Sequence, residues 1–148
     1  MPYMEQQEAD MYAHHFIHRV RVRYGETDRM GYCYYGNYAL YFEEARVEAL
    51  RSRGVVYRDL EDRGIGLPVR DFSIHYRSPA LYDELLDIHT YIYRVDGSRL
   101  RFRYETKNEK GDVLNTSDTT LVFVDMDSGR PIRPPEDVIL ALEGIGAS

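Results

Sequence analysis

The chain has a single cysteine, no excess of positive charge and no long apolar run, and each shortage removes a class of protein. A lone thiol, Cys33, excludes an internal disulfide, and without a second cysteine a zinc site lacks its usual soft ligands. Its simplest role is that of a small buried hydrophobe, not a nucleophile. The formal net charge of −6 and the pI near 5.4 have the wrong sign for a protein held on nucleic acid by its overall field, so any phosphate site must be local. No apolar run approaches the ~20 residues that span a bilayer, and Met1 to His15 is too polar for a signal peptide. A cytoplasmic protein that engages neither membrane nor nucleic acid is expected. His14 and His15 beside His18 form no ligand spacing of note near a loose chain end, so neither a metal nor another cofactor is expected.

What the chain does have is tyrosine, 14 of 148 residues, and a length that suits one domain. A chain of this size should bury about 70% of its unfolded surface, enough for one good core. Residues 1–15 show no period and are expected to form a flexible arm; residues 16–148 are expected to form a single domain. Within it, Tyr38, Phe42, Ala45 and Ala49 recur at the spacing of one helix face, widened by Leu40, Tyr41, Val47 and Leu50. The predicted helix is therefore buried over much of its girth, with Asn37 as N-cap, Arg51 and Arg53 in its last turn and Gly54 beyond its end. A Glu43–Arg46 ion pair fits one helical turn.

Strands surround that helix. Phe16, His18, Val20 and Val22 alternate with Ile17, Arg19, Arg21 and Arg23; further two-residue periods run over 67–77, 85–94, from Arg99 onward and over 113–124. Asp96-Gly97 and Lys110-Gly111 mark the turns between them, Pro79 closes one strand, and Pro134-Pro135 precedes a short terminal helix at Glu136 to Leu142. One strand, one buried helix and an antiparallel meander make an α+β architecture with the helix on one sheet face.

Between the first strand and the long helix, Glu26 and Asp28 flank Thr27, and Tyr32, Tyr34, Tyr35 and Tyr38 crowd around Cys33, Gly36 and Asn37. A solvated loop rarely carries so many aromatics; these can plug the end of a core or wall a pocket. A carboxylate just ahead of a buried helix lies near its orphan N–H groups, and glycines let another group approach the backbone. Such a place can bind and polarise a carbonyl.

Tyr24, Thr27, Asp28, Gly31, Tyr34, Asn37, Tyr38, Phe42, Glu43, Ala45 and Arg46 fall on the signature Y-x-D-T-D-x-x-G-x-V-Y-H-x-N-Y-x-x-Y-F-E-x-A-R of the 4-hydroxybenzoyl-CoA thioesterase family, which the chain resembles. A second block, LPVRDFSIHYRSPALYD from Leu67 to Asp83, is similar to that family's Y-x-x-P-A-x-Y-D-D region. The resemblance implies a hotdog fold, a five-stranded antiparallel sheet wrapped around one long central helix, and hydrolysis of an acyl-CoA thioester. It implies a homodimer with sites between protomers, and a homotetramer as a dimer of dimers. Two positions depart from the pattern: Glu26 replaces the first aspartate and Tyr35 the usual histidine.

By its place in the motif Asp28 matches the family's catalytic aspartate, as general base or nucleophile. Backbone N–H groups of Tyr35 and Gly36 would polarise the carbonyl, and Asn37 would orient the loop or the thioester. Glu43 and Glu44 are the rival carboxylates. Tyr32, Tyr34 and Tyr38 could wall an acyl pocket, and Arg94, Arg99 and Arg101 around the Asp96-Gly97 hairpin could meet the phosphates of acyl-CoA or simply cover an exposed strand face. A non-catalytic acyl-CoA-binding protein is the alternative; a hotdog dehydratase would need a histidine where Tyr35 stands.

Overall fold

A computed structural model describes residues 11–144. The chain runs β1 (Tyr12–Arg21), a 3-10 turn (Tyr24–Glu26), α1 (Asn37–Arg51), α2 (Tyr57–Asp62), β2 (Ile65–Gly66), β3 (Val69–Tyr76), β4 (Leu85–Tyr93), β5 (Arg99–Lys107), β6 (Val113–Val122), β7 (Val124–Asp125) and α3 (Glu136–Glu143). Five strands form one antiparallel sheet in the order β1-β4-β5-β6-β3. The two hairpins in its centre turn at Gly97 and Gly111, both at positive φ, where a Cβ would be strained.

α1 packs on one face of this sheet for the reason its periodicity gives. Tyr38, Tyr41, Phe42, Ala45, Ala49 and Leu50 are all buried, against Leu86, Ile88 and Ile92 of β4 and Leu100, Phe102 and Tyr104 of β5 within a single core cluster. Fully buried Ala45 and Ala49 keep side-chain bulk out of the contact and so bring the helix axis close to the sheet. Phe42 stacks on Tyr104 with ring centroids 4.5 Å apart. Truncating a side chain so placed costs about 3–5 kcal/mol.

Several expectations are corrected. β1 starts at Tyr12 and pairs with β4 from Tyr93 onward, so Tyr12 to His15 belong to the sheet; the rest of the expected arm, residues 1–10, lies outside the described residues. The N-cap is Gly36, not Asn37, whose side chain is used elsewhere. Leu40 is 60% exposed, because it lies on the side of α1 opposite Tyr38 and Phe42. Among the described residues no ion pair joins Glu43 to Arg46: the Arg46 guanidinium is buried, with Nε 3.3 Å from the Tyr57 hydroxyl. The last strand breaks at Phe123, after which β7 swings away to pair with β2, a small second sheet that the alternation does not reveal.

The two edges of the main sheet differ. β1 is flanked by α1 and α3, whereas β3 is exposed along almost its whole length, with Val69, Phe72 and Tyr76 all about half accessible. Phe72 and Tyr76 touch Phe42 and Tyr38, so the apolar face of the edge continues outward from the core.

Candidate active site

Residues 27–33 form a tight reverse loop that docks against residues 80–82. Thr27 bridges to Cys33 and Tyr32 to Leu81; the Cys33 amide donates to the Ala80 carbonyl at 2.7 Å and the Tyr82 amide to the Gly31 carbonyl at 3.1 Å. Gly31, at φ +79, supplies the left-handed residue that the turn needs. Asp28 closes the loop from within: its Oδ1 accepts from the amides of Met30 at 2.9 Å and Tyr32 at 3.2 Å. This aspartate turn fixes the direction of the carboxylate, and among the described residues Oδ2 makes no hydrogen bond.

The loop is tied to the helix by Glu26 and Asn37. Glu26 Oε1 accepts from the Tyr41 hydroxyl at 2.7 Å and the Arg23 amide at 2.9 Å, while Oε2 takes the Arg23 guanidinium at 2.8 Å. Burial pushes the Glu26 carboxyl up, but the Arg23 and Tyr41 hydrogen bonds outweigh it and hold the group below the usual glutamate range. The Glu26 carbonyl accepts from Asn37 Nδ2 at 2.7 Å and from the Tyr34 amide at 2.8 Å. Asn37 thus orients the loop, one of its two expected roles. Glu26, which stands where the family pattern has its first aspartate, is the anchor of the loop.

Asp28, Tyr32, Tyr34, Tyr35 and Tyr38 line one open groove of about 630 Å³, so five of the expected site residues meet. Cys33 lies in its wall, mostly buried, with burial pushing the thiol up; a neutral thiol is a poor nucleophile. Tyr76, Arg77, Ser78 and Pro79 also line the groove, residues to which the sequence assigned no part in the site. The signal was present in the Y-x-x-P-A match, which places those residues next to Ala80 and hence next to Cys33. Burial raises Tyr38 and Tyr76, so both hydroxyls stay protonated donors.

α1 begins at this groove. The N–H groups of Tyr35 and Gly36 make no hydrogen bond among the described residues, as expected for the orphan donors ahead of a helix. A Cβ on Gly36 would lie 2.7 Å from the Tyr34 ring, so glycine lets that ring lie over the backbone here. Glu43 and Glu44 stay outside the groove, and Glu44 instead contacts His18 at 3.3 Å.

Arg94, Arg99 and Arg101 are not brought to this groove within one chain. They sit at the β4–β5 hairpin, and β4 runs nine residues from Leu85, beside the loop, to Tyr93, a separation of about 25 Å. Arg101 stacks over the Tyr93 ring at 4.4 Å. No helix among the described residues is long and apolar enough to cross a membrane.

The model of the thioesterase-like superfamily matches residues 22–142, from just after β1 into α3. The chain belongs to that superfamily. Among its relatives, YneP of Bacillus subtilis is 33% identical over 114 residues, 77% of this chain and 83% of that protein. The acyl-CoA thioester hydrolase YbgC of Escherichia coli is 31% identical over 120 residues, 81% and 90% of the two chains. The DHNA-CoA thioesterase structure from Staphylococcus aureus superposes with a TM-score of 0.83 at 34% identity, covering 90% of this chain and 91% of that one. The superfamily's hotdog fold accounts for the sheet curled over α1.

Proposed function

We propose that this chain is an acyl-CoA thioesterase that hydrolyses a thioester to free CoA and a carboxylic acid, with Asp28 as the carboxylate of the reaction. The carrying observation is the Asp28 turn: two amides hold one carboxylate oxygen and leave the other without a hydrogen bond among the described residues, while Asp28 lines an aromatic groove together with Tyr35, whose amide precedes α1. The names of YbgC and of the Staphylococcus aureus enzyme support the reaction class. With the thioester carbonyl at the Tyr35 and Gly36 amides, Asp28 takes a proton from water, and the water oxygen attacks the carbonyl carbon. The tetrahedral oxyanion is held by those two donors; it collapses with loss of the C–S electron pair to sulfur, and the CoA thiolate leaves and is protonated. As a nucleophile instead, Asp28 would form a mixed anhydride that water then opens. Single-turnover hydrolysis in heavy-oxygen water separates the two, because only the anhydride route can place label in Asp28.

Two copies complete the site in this reading. The exposed β3 edge, with unpaired backbone groups and a half-exposed apolar face, suits pairing with a second copy of itself, since an open edge of this kind is otherwise a liability. With the hairpin arginines at the far end of β4, about 25 Å along that strand from Leu85, the partner's hairpin, not the chain's own, would meet the CoA phosphates. A dimer of dimers remains compatible with the same edge pairing. Release of free CoA from a panel of aromatic, short and long acyl-CoAs tests the proposal. Saturable binding with no release would assign the groove to a non-catalytic acyl-CoA-binding protein, in which the Asp28 turn is structural.

A further inference from the structure

Arg77 is the one cation among the described residues that line the groove. Arg19, Arg21, Arg23, Arg51 and Arg63 each pair with a carboxylate. Among the described residues Arg77 has no ion pair and no side-chain hydrogen bond. Its backbone is fixed, because its amide donates to the Leu114 carbonyl at 2.8 Å and extends the β3–β6 ladder by one residue. Tyr76 and Ser78, its neighbours in sequence, also line the groove, and both carry neutral hydroxyls that can donate. The groove lining therefore includes a guanidinium and neutral donors beside it in the chain.

Asp28 lines the same groove. Leu81, four residues beyond Arg77, bridges to Tyr32, whose carbonyl takes the Asp28 amide at 2.8 Å, so the two segments that carry Arg77 and Asp28 are joined beside the groove. An acyl group whose thioester carbonyl sits beside Asp28 can thus present a second polar group to Arg77 within the same groove, among its tyrosine rings.

We propose that Arg77 selects acyl groups carrying a carboxylate at the end remote from the thioester. This rests on the thioesterase reading above and adds the class of substrate that the same groove takes. A guanidinium binds a carboxylate through paired, charge-assisted hydrogen bonds, which a terminal methyl group cannot replace.

The test compares adipyl-CoA with hexanoyl-CoA, and 4-carboxybenzoyl-CoA with 4-methylbenzoyl-CoA, in both kcat/KM and calorimetric Kd. The wild-type protein should favour the carboxylated member of each pair by roughly tenfold. Arg77→Met keeps the apolar stem and should bring each ratio to about one, while Arg77→Lys should keep part of the preference. Equal handling of the paired substrates by the wild-type protein, or a ratio unaltered in Arg77→Met, overturns the proposal. Were no CoA released from any substrate, the thioesterase reading would fall, and the Kd ratios would still decide: a preference lost in Arg77→Met sustains the carboxylate site, and its absence in the wild type removes it.

Discussion

The Tyr41 hydroxyl donates to the Glu26 carboxylate at 2.7 Å, joining the second turn of the buried helix to the loop that carries Asp28. Neither partner touches the groove, yet the aim of Asp28 depends on both. Because Glu26 is held below the usual glutamate range, the folded state favours its ionised form. Its contribution to stability is therefore complete above the ordinary glutamate pKa and is lost as pH falls through that value towards the folded one. Glu26→Gln should flatten the fall of Tm between pH ~6 and ~3, measured by thermal scans. Tyr41→Phe should cost about 1 kcal/mol at neutral pH by losing one buried hydrogen bond. A parallel acid slope in Glu26→Gln and wild type would show that other carboxylates govern the acid limb.

The β3 edge makes a separate prediction. Ser73 and Ile74 sit mid-strand, paired to β6 on one side only. If a second copy covers the other side, the protein sediments as a dimer or larger at micromolar concentration. Replacing exposed Phe72 by Lys should shift it to monomer and lower turnover in parallel. A wild-type monomer would leave each groove to act alone.

The hairpin arginines are tested by substrate size. Arg99→Ala with Arg101→Ala should raise KM for acyl-CoA and spare small thioesters that lack the nucleotide. In Arg101→Ala the stacking on Tyr93 is lost as well, so a control on folding by circular dichroism belongs with it. Equal effects on both classes of thioester would assign the arginines to the sheet face and not to CoA.

The sheet and α1 were legible because burial imposes a period: Tyr38, Phe42, Ala45 and Ala49 are buried as spaced, and the strands alternate as written. The loop gave its residues but not their division of labour. Asp28 and Glu26 differ in sequence by one methylene, and only the fold makes one exposed beside the groove and the other a partly buried anchor. Arg77 was hidden for a different reason, since an edge strand that is exposed on both faces has no clean alternation to show which residues look into a groove. The Asn37 cap failed because its amide has a better acceptor, the Glu26 carbonyl, outside its own helix.

The central prediction separates the two roles that the geometry gives Asp28. Asparagine retains a side-chain oxygen at the same place, so Asp28→Asn can still accept from the Met30 and Tyr32 amides and keep the turn. It cannot take a proton from water or attack a carbonyl. Thioesterase kcat should fall by about 10²-fold or more, with Tm and oligomeric state unchanged. Asp28→Ala removes both functions and should lose Tm as well as activity, so the difference between the two variants isolates the turn. Tyr35→Phe should be mild, because the proposed donor is the backbone amide, and Cys33→Ala should keep activity, because the thiol is buried and protonated. Normal turnover by Asp28→Asn would leave the carboxylate with its turn alone and pass the chemistry to another group, with Glu43 on α1 the next acid to replace.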